Sequence, residues 1–276
     1  MNHPKNSITV TVNNLTVSYI DEGHANSPAI IFIHGFPLSK MMWNKQIEVL
    51  KENYHVIAYD IRGHGNTDIG NDNFSIDLFV NDLLSLMDAL KIDKTILCGL
   101  SMGGYIALKA IEKFPERFIG LVLCDTNCSA DTPEGKEKRI KTIETIKENG
   151  VEKYAGESLK KLFAPESFSK HLDEIAIVRE MIINTSKQSL YKTLYALAER
   201  AETCTSLHKL KVPVLIIVGK DDELTPPDVA LMMHEKIKGS KFHIIENAGH
   251  LSNLENSEQF NNQISEFLSS ILTMSC

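Results

Sequence analysis

The amino-acid sequence predicts an α/β protein: a mostly parallel, twisted sheet with helices on both faces and an inserted helical lid. Three observations carry that expectation. Continuous apolar runs such as AIIFIHG, HVIAYDIRG, TILCGLS, FIGLVLCDT and VPVLIIVGKDD end in Gly, Ser, Asp or Thr, the pattern of strands covered by helices on both sides. Helix-like segments over residues 77–90, 102–114, 227–238 and 257–272 lie among these runs, and strands alternating with helices argue for parallel pairing through right-handed crossovers. From about Asn127 to Leu207 the alternation stops, and no strand-like run occurs.

Taken in order, the chain opens with ITVTVNNLTVSYI, which alternates branched and polar residues on both sides of Asn13-Asn14. That pair tolerates the positive φ angles of a tight turn, so an antiparallel hairpin is expected. The five apolar runs follow, and KFHIIENAGH supplies a final strand. Within the interruption, Ile140, Ile143 and Ile146, then Tyr154, Leu159, Leu162 and Phe163, then Leu190, Leu194 and Leu197 recur at helical spacing. The expected organisation is a core of residues 1–126 and 208–276 with a helical cap over 127–207. Lysine- and glutamate-rich stretches of the cap, such as EGKEKRIKTIETIKE, read as solvated helix faces.

A chain of 276 residues is long enough to bury a large core. With 43% apolar and 24% charged residues it has a globular rather than disordered composition. The net charge of −7 gives no attraction for phosphate backbones or anionic membranes, which argues against nucleic acid and membrane partners. MNHPKNSITV has no apolar leader segment, and the longest apolar runs are strand-sized, so a soluble cytoplasmic protein is expected. Cysteines at 98, 124, 128, 204 and 276 are odd in number and scattered, which fits reduced thiols. Cys124 and Cys128 lack the His/Cys pair that a metal site needs.

The chemistry gathers around GLSMGG. Ser101 lies between glycines where a strand gives way to a helix. A serine there is either an ordinary helix cap or a nucleophile on a sharp turn that requires small neighbours. A serine nucleophile needs a histidine base and an acid that orients it. His250 ends IIENAGH just past the last expected strand. For the acid, Asp222 opens the D-x-x-T-P stretch of VGKDDELTPP, while its neighbour Asp221 and the strand-terminal Asp125 are alternatives. The backbone amides of Phe36, in HGFPLSKMMW, and of Met102 are the natural donors to a developing oxyanion. His34 and His64 adjoin glycines ahead of the serine and read as loop-shaping residues.

With HGFPLSKMMW, YDIRGHGNTD, GLSMGG, VPVLIIVGKDDELTPP and AGHLSNLENSEQF occurring in that order, the chain resembles the α/β-hydrolases over nearly its whole length. Within them it is similar to serine esterases and the 3-oxoadipate enol-lactonase group, including the cofactor-free haloperoxidases or perhydrolases. The resemblance implies Ser101, Asp222 and His250 as a triad, Phe36 and Met102 as oxyanion amides, and a lid over residues 127–207. It also implies cleavage of a carboxylic ester or lactone, and because the triad and amides would provide nucleophile, base and electrophilic stabilisation, no metal or organic cofactor is expected. The elbow residue separates the chain from haloalkane dehalogenases and epoxide hydrolases, which use aspartate, and from dienelactone hydrolases, which use cysteine.

Other chemistries lack their residues. RGHGNTD has Asp68 where a dinucleotide loop needs its third glycine, and neither G-x-x-x-x-G-K-[ST] nor H-E-x-x-H occurs. A non-catalytic ligand-binding protein on the same scaffold is the rival from another class. Leu38, Trp43, Leu162 and Phe163, near the motifs or in the lid, suggest an apolar pocket for a small uncharged ester or lactone, although each residue type is equally at home in a core.

Overall fold

The computed structural model describes residues 7–274, so the first six residues and the last two, Ser275 and Cys276, lie outside the described part. Asn13 and Asn14 take positive φ angles of 50° and 58°, which lets β1 (Ser7–Val12) turn back onto β2 (Leu15–Glu22). The remaining strands are β3 (Ala29–Ile33), β4 (His55–Tyr59), β5 (Thr95–Leu100), β6 (Phe118–Cys124), β7 (Val214–Gly219) and β8 (Lys241–Ile245). They form one sheet in the order β1-β2-β4-β3-β5-β6-β7-β8. β2 is antiparallel to β1 and β4, and every later pairing is parallel. Every residue of β3, β4, β5 and β7 is buried, which is why these strands read as unbroken apolar runs.

The helices are α1 (Asn44–Leu50), α2 (Ile76–Ala89), α3 (Met102–Lys113), α4 (Pro133–Leu162), α5 (Ser167–Lys170), α6 (Leu172–Asn184), α7 (Lys187–Ala198), α8 (Pro227–Lys236), α9 (Ser252–Glu255) and α10 (Ser257–Met274). Strand side chains alternate between two apolar layers. Ile31 and Ile33 join Phe79 of α2, Ile106 of α3 and Met233 of α8. Ile30 and Phe32 join Ile47 of α1 and Phe260 of α10. Burial of each such side chain stabilises the fold by about 1.5–3 kcal/mol.

Residues 127–207 hold α4 to α7 and no strand. Their inward residues, among them Ile143, Ile146, Val178, Ile182 and Leu194, belong to the same apolar cluster as Ile30 and Phe32. Gly150, at φ 85° and ψ 170°, breaks α4 into two limbs. Among the described residues no helix is long and apolar enough to cross a membrane.

One expectation is corrected. Cys128 and Cys204, separated by 76 positions, form a disulfide with Cα atoms 4.9 Å apart. β6 and β7 are adjacent parallel strands, so the insertion leaves and re-enters the sheet at neighbouring places. Scattered positions in the sequence become partners for that reason. Thr203 N–H donates to Cys128 O at 2.8 Å beside the bridge. Cys98 and Cys124 are buried and unbridged.

Candidate active site

Ser101 follows β5 and precedes α3, with φ 52° and ψ −114°. A helix cap normally has extended φ/ψ and a side chain that accepts an amide of the first turn; Ser101 has neither. The ordinary-cap reading therefore fails. The turn is held from outside: Ser101 N–H donates to Cys124 O at 3.0 Å, and Thr126 Oγ1 donates to Ser101 O at 2.8 Å. Glycine is required around it because a Cβ on Gly99 would lie 2.3 Å from Gly103 O, and one on Gly103 would lie 2.1 Å from Ile33 O.

His250 sits in the loop after β8, and its Nδ1 lies 2.8 Å from Asp222 Oδ2. Asp222, just beyond β7, accepts from Thr225 Oγ1 at 2.7 Å on the same oxygen. Its Oδ1 accepts the amides of Leu224 and Thr225 at 2.8 and 3.0 Å. Nδ1–H therefore points at the carboxylate, and Nε2 is the ring nitrogen on the side away from it. Burial works against the charged imidazole, but the Asp222 charge and hydrogen bond, with Asp125 and Glu255 behind them, raise His250 above its ordinary value. Burial likewise works against ionised Asp222 and is outweighed by His250 and by the donors from Thr225, so its carboxyl is held low.

The other two acids are placed elsewhere. Asp221 is exposed. Asp125, at φ 45°, accepts Gly219 N–H at 2.8 Å and Ser252 Oγ–H at 2.5 Å. It ties the ends of β6 and β7 to α9. Burial, then the neighbouring Asp222, push its carboxyl well above the usual range.

Phe36 and its cis-linked Pro37 follow β3. His34 Nδ1–H donates to Gly35 O at 2.8 Å, while its Nε2 accepts Ile61 N–H at 2.9 Å. Burial brings its pKa down to about 4, so His34 is a neutral strut. His64 is likewise brought down to about 3, by burial and by His34, and packs edge-on against Phe36 at 5.9 Å. Neither amide, of Phe36 or Met102, has an acceptor among the described residues.

Two supports were not anticipated from the sequence. Lys40, fully buried, gives its Nζ to Asp60 Oδ2 at 2.6 Å and its backbone N–H to Oδ1 at 2.8 Å, clamping the loop after β3 onto the loop after β4. Glu255, in α9, accepts Gly249 N–H and Ala164 N–H, each at 2.8 Å, and Ser167 Oγ–H at 2.6 Å. It joins the His250 loop to the chain after α4. The only hint of either was position: Asp60 ends a strand, and Glu255 follows the histidine motif.

Ser101, His250, Phe36 and Met102 line one cleft of about 330 Å³, at the small end of ligand-binding pockets. Leu162 lines it too, with Leu194, Leu197 and Leu224. The pocket expected from the sequence needs correction at three residues. Leu38 and Trp43 are fully buried in the core, with Trp43 4.8 Å from Phe32 and 6.3 Å from Phe260. Phe163 is buried against Phe168 rather than in the cleft. A large apolar group beside a motif is drawn to the nearest core, whichever side of the backbone that lies on.

A mostly parallel sheet with a strained serine after the fifth strand and a His–Asp pair after the last two strands is the arrangement of an α/β hydrolase. The chain belongs to that family: residues 28–257 match the alpha/beta hydrolase fold. It is 30% identical to 3-oxoadipate enol-lactonase 1 of Acinetobacter baylyi, over 93% of this chain and 94% of that protein. Among solved structures, a thermophilic esterase from Thermogutta terrifontis, with malate bound, superposes with a TM-score of 0.91 at 31% identity, covering 96% of this chain and 99% of that one. The enol-lactonase from Burkholderia xenovorans gives 0.89 at 26% identity, covering 95% and 100%.

Proposed function

We propose that the protein is a serine hydrolase that cleaves a carboxylic ester or lactone of a small substrate through an acyl-enzyme. The observation that carries this reading is the strained, uncapped Ser101 sharing one cleft with a histidine already bonded to a buried aspartate. His250 Nε2 takes the Ser101 hydroxyl proton as Oγ attacks the carbonyl carbon, and the carbonyl electron pair moves onto oxygen. The amides of Phe36 and Met102 receive that oxyanion, and the N-terminus of α3 adds its dipole. Collapse expels the alkoxide, which takes the proton from His250. Water attacks the acyl carbon in turn, giving its proton to His250, and the acid leaves as Ser101 recovers its own. In a lactone the departing alkoxide stays tethered to the acyl group, so a hydroxy acid or its keto tautomer is released. The enol-lactonase relatives at about 30% identity support including lactones; peracid formation would use the same groups.

The test is hydrolysis of p-nitrophenyl esters from acetate to decanoate and of a lactone panel, with Ser101→Ala in parallel and organophosphonate labelling of the wild type. Turnover and labelling that vanish in Ser101→Ala are expected. Unchanged activity in Ser101→Ala would refute the scheme, and failure of every substrate together with failure of labelling would favour a ligand-binding protein on a hydrolase scaffold.

A further inference from the structure

A second cavity, of about 130 Å³, lies between the start of α2, α3 and the two ends of the cap segment that Cys128 and Cys204 join. Phe74, Ile76, Cys128 and Ala196 give it an apolar part, and Asn127 and Thr203 a polar one. By itself it is smaller than a ligand pocket. Three features place it directly behind the cleft over Ser101. Tyr105 lines both spaces. On α7, Leu197 lines the cleft while its neighbour Ala196 lines the side pocket. Asp131 lines the cleft and Arg200 the side pocket, and the two are bonded, Nη1 to Oδ1, at 2.5 Å. The two spaces therefore back onto each other across a wall of side chains.

Within that wall Tyr105 belongs to the same turn as the nucleophile. Its N–H donates to Ser101 O at 3.2 Å, so it stands one turn along α3, a rise of about 5.4 Å. Side chains of a helix tilt towards its N-terminus, which leans the Tyr105 ring towards the Ser101 end. The ring is also braced from behind. The Arg200 guanidinium carbon lies 4.3 Å from its centroid, and a planar cation stacked on an aromatic face fixes the ring's orientation. Arg200 is held in turn: its side chain is 5% exposed, and Nη1 bonds Leu197 O at 2.9 Å as well as Asp131. Asp131 is fixed from its other side by Arg139. A tyrosine so braced is a stop, not a flexible filler.

We propose that Tyr105 sets the length of the group the cleft accepts at one end, the side pocket behind it being a latent extension of the same cavity. The substrate is then an ester or lactone whose group at that end is a short chain ending against the ring. This rests on the serine-hydrolase reading above and sizes its substrate.

The test measures kcat/KM along two series: p-nitrophenyl esters from acetate to decanoate, which lengthen the acyl group, and acetates of alcohols from methanol to octanol, which lengthen the other side. In the wild type one series should fall off beyond a definite length, and that series identifies the end that faces Tyr105. Each methylene newly buried should add about fourfold, so in Tyr105→Ala the ratio of long to short chain in that series should rise by about tenfold or more. Tyr105→Leu, which keeps an apolar side chain on α3, should raise it less and carries the comparison if the alanine variant does not fold. Tyr105→Phe keeps the ring and should keep the limit. Adding Ala196→Leu to the alanine or the leucine variant refills the side pocket and should bring the ratio back towards the wild type. Ser101-dependent turnover with the ratio unchanged in the alanine or leucine variant, in both series, would overturn the stop and leave the hydrolase reading standing. A rise that Tyr105→Phe shares, or that survives Ala196→Leu, would overturn it too. Absence of both turnover and organophosphonate labelling in the wild type would remove the hydrolase reading and this inference together.

Discussion

The floor and the roof of the cleft are built by different rules. The floor residues Phe36, Ser101, Asp222 and His250 follow the ends of β3, β5, β7 and β8, and backbone constraints fix them. Ser101 holds a positive φ, Gly103 packs against Ile33, and Asp222 is bound by two amides and a hydroxyl. The roof, α4 to α7, rests on apolar spacing and presents mostly polar outer faces. Floor positions each tolerate few residue types, so they leave motifs. Roof positions tolerate many, so the chemistry is written locally and the specificity is not.

The sharpest break of that comparison is at the nucleophile. Ser101→Ala should lower kcat/KM by roughly 10⁴–10⁶, by analogy with other serine triads, with little change in thermal midpoint, since the hydroxyl takes no part in holding the turn. A large loss of stability in that variant would return Ser101 to a structural role.

Asp222→Asn should cost about 10⁴ in kcat, because the wrong imidazole tautomer is then favoured. It also tests the electrostatics. The base must be neutral, and His250 is raised above 6.5 chiefly by Asp222 against the opposing effect of burial. The wild-type acid limb of kcat/KM should therefore fall at a pH above 6.5, and residual activity in Asp222→Asn should extend to lower pH. An acid limb below 6.5 in the wild type would contradict this electrostatic account.

How far the sequence was legible follows the same division. The hairpin at Asn13-Asn14 and the parallel strands were readable in place and order, with strand ends overrun by up to five residues, and α2, α3, α8 and α10 were readable within two residues, because their signals are short-range. α1 was not foreseen, since its seven residues follow directly on HGFPLSKMMW and are too few to show a helical period. That Ser101 and His250 line one cleft and that His250 bonds Asp222 could be expected from strand ends; the Lys40–Asp60 clamp and the Glu255 bonds could not. Those contacts join residues far apart in sequence, and nothing in a single chain says which lysine meets which aspartate. Pocket lining failed for the same reason, because Trp43 and Leu38 carry no local sign of facing core or cleft.

Trp43 sharpens the point on the floor side. Trp43→Ala should destabilise the fold by about 3–5 kcal/mol through loss of its contacts with Phe32 and Phe260, with KM for short esters moved little. Measurement of the thermal midpoint and of KM on the folded fraction separates the two; a selective rise in KM would place Trp43 in the pocket after all. On the roof side, Cys128→Ser should lower stability by about 2–4 kcal/mol under oxidising conditions, because it releases the two ends of a segment of 76 residues. The same loss should follow addition of a reductant to the wild type. Equal stability with and without reductant would show that the bridge does not hold the roof.

The smallest expected effect lies where floor rigidity meets catalysis. Thr225 Oγ1 donates to the Asp222 oxygen that also faces His250, while the Thr225 amide binds the other oxygen. Thr225→Val removes the first bond and keeps the second, so the turn persists while one lone pair of the carboxylate loses its donor. A hydrogen bond to a charged group contributes about 1.5 kcal/mol, or roughly tenfold in rate if it acts wholly in the transition state. The imidazolium formed during the reaction should also be served better by a carboxylate that no longer shares its electron pair, which opposes the loss. Freedom of the Asp222 side chain outweighs that gain, because catalysis depends on a fixed Nε2 direction. The expected outcome is a three- to tenfold fall in kcat (about 0.7–1.4 kcal/mol) with KM nearly constant, restored by Thr225→Ser. An unchanged kcat in Thr225→Val would show that the two backbone amides alone hold Asp222 in place.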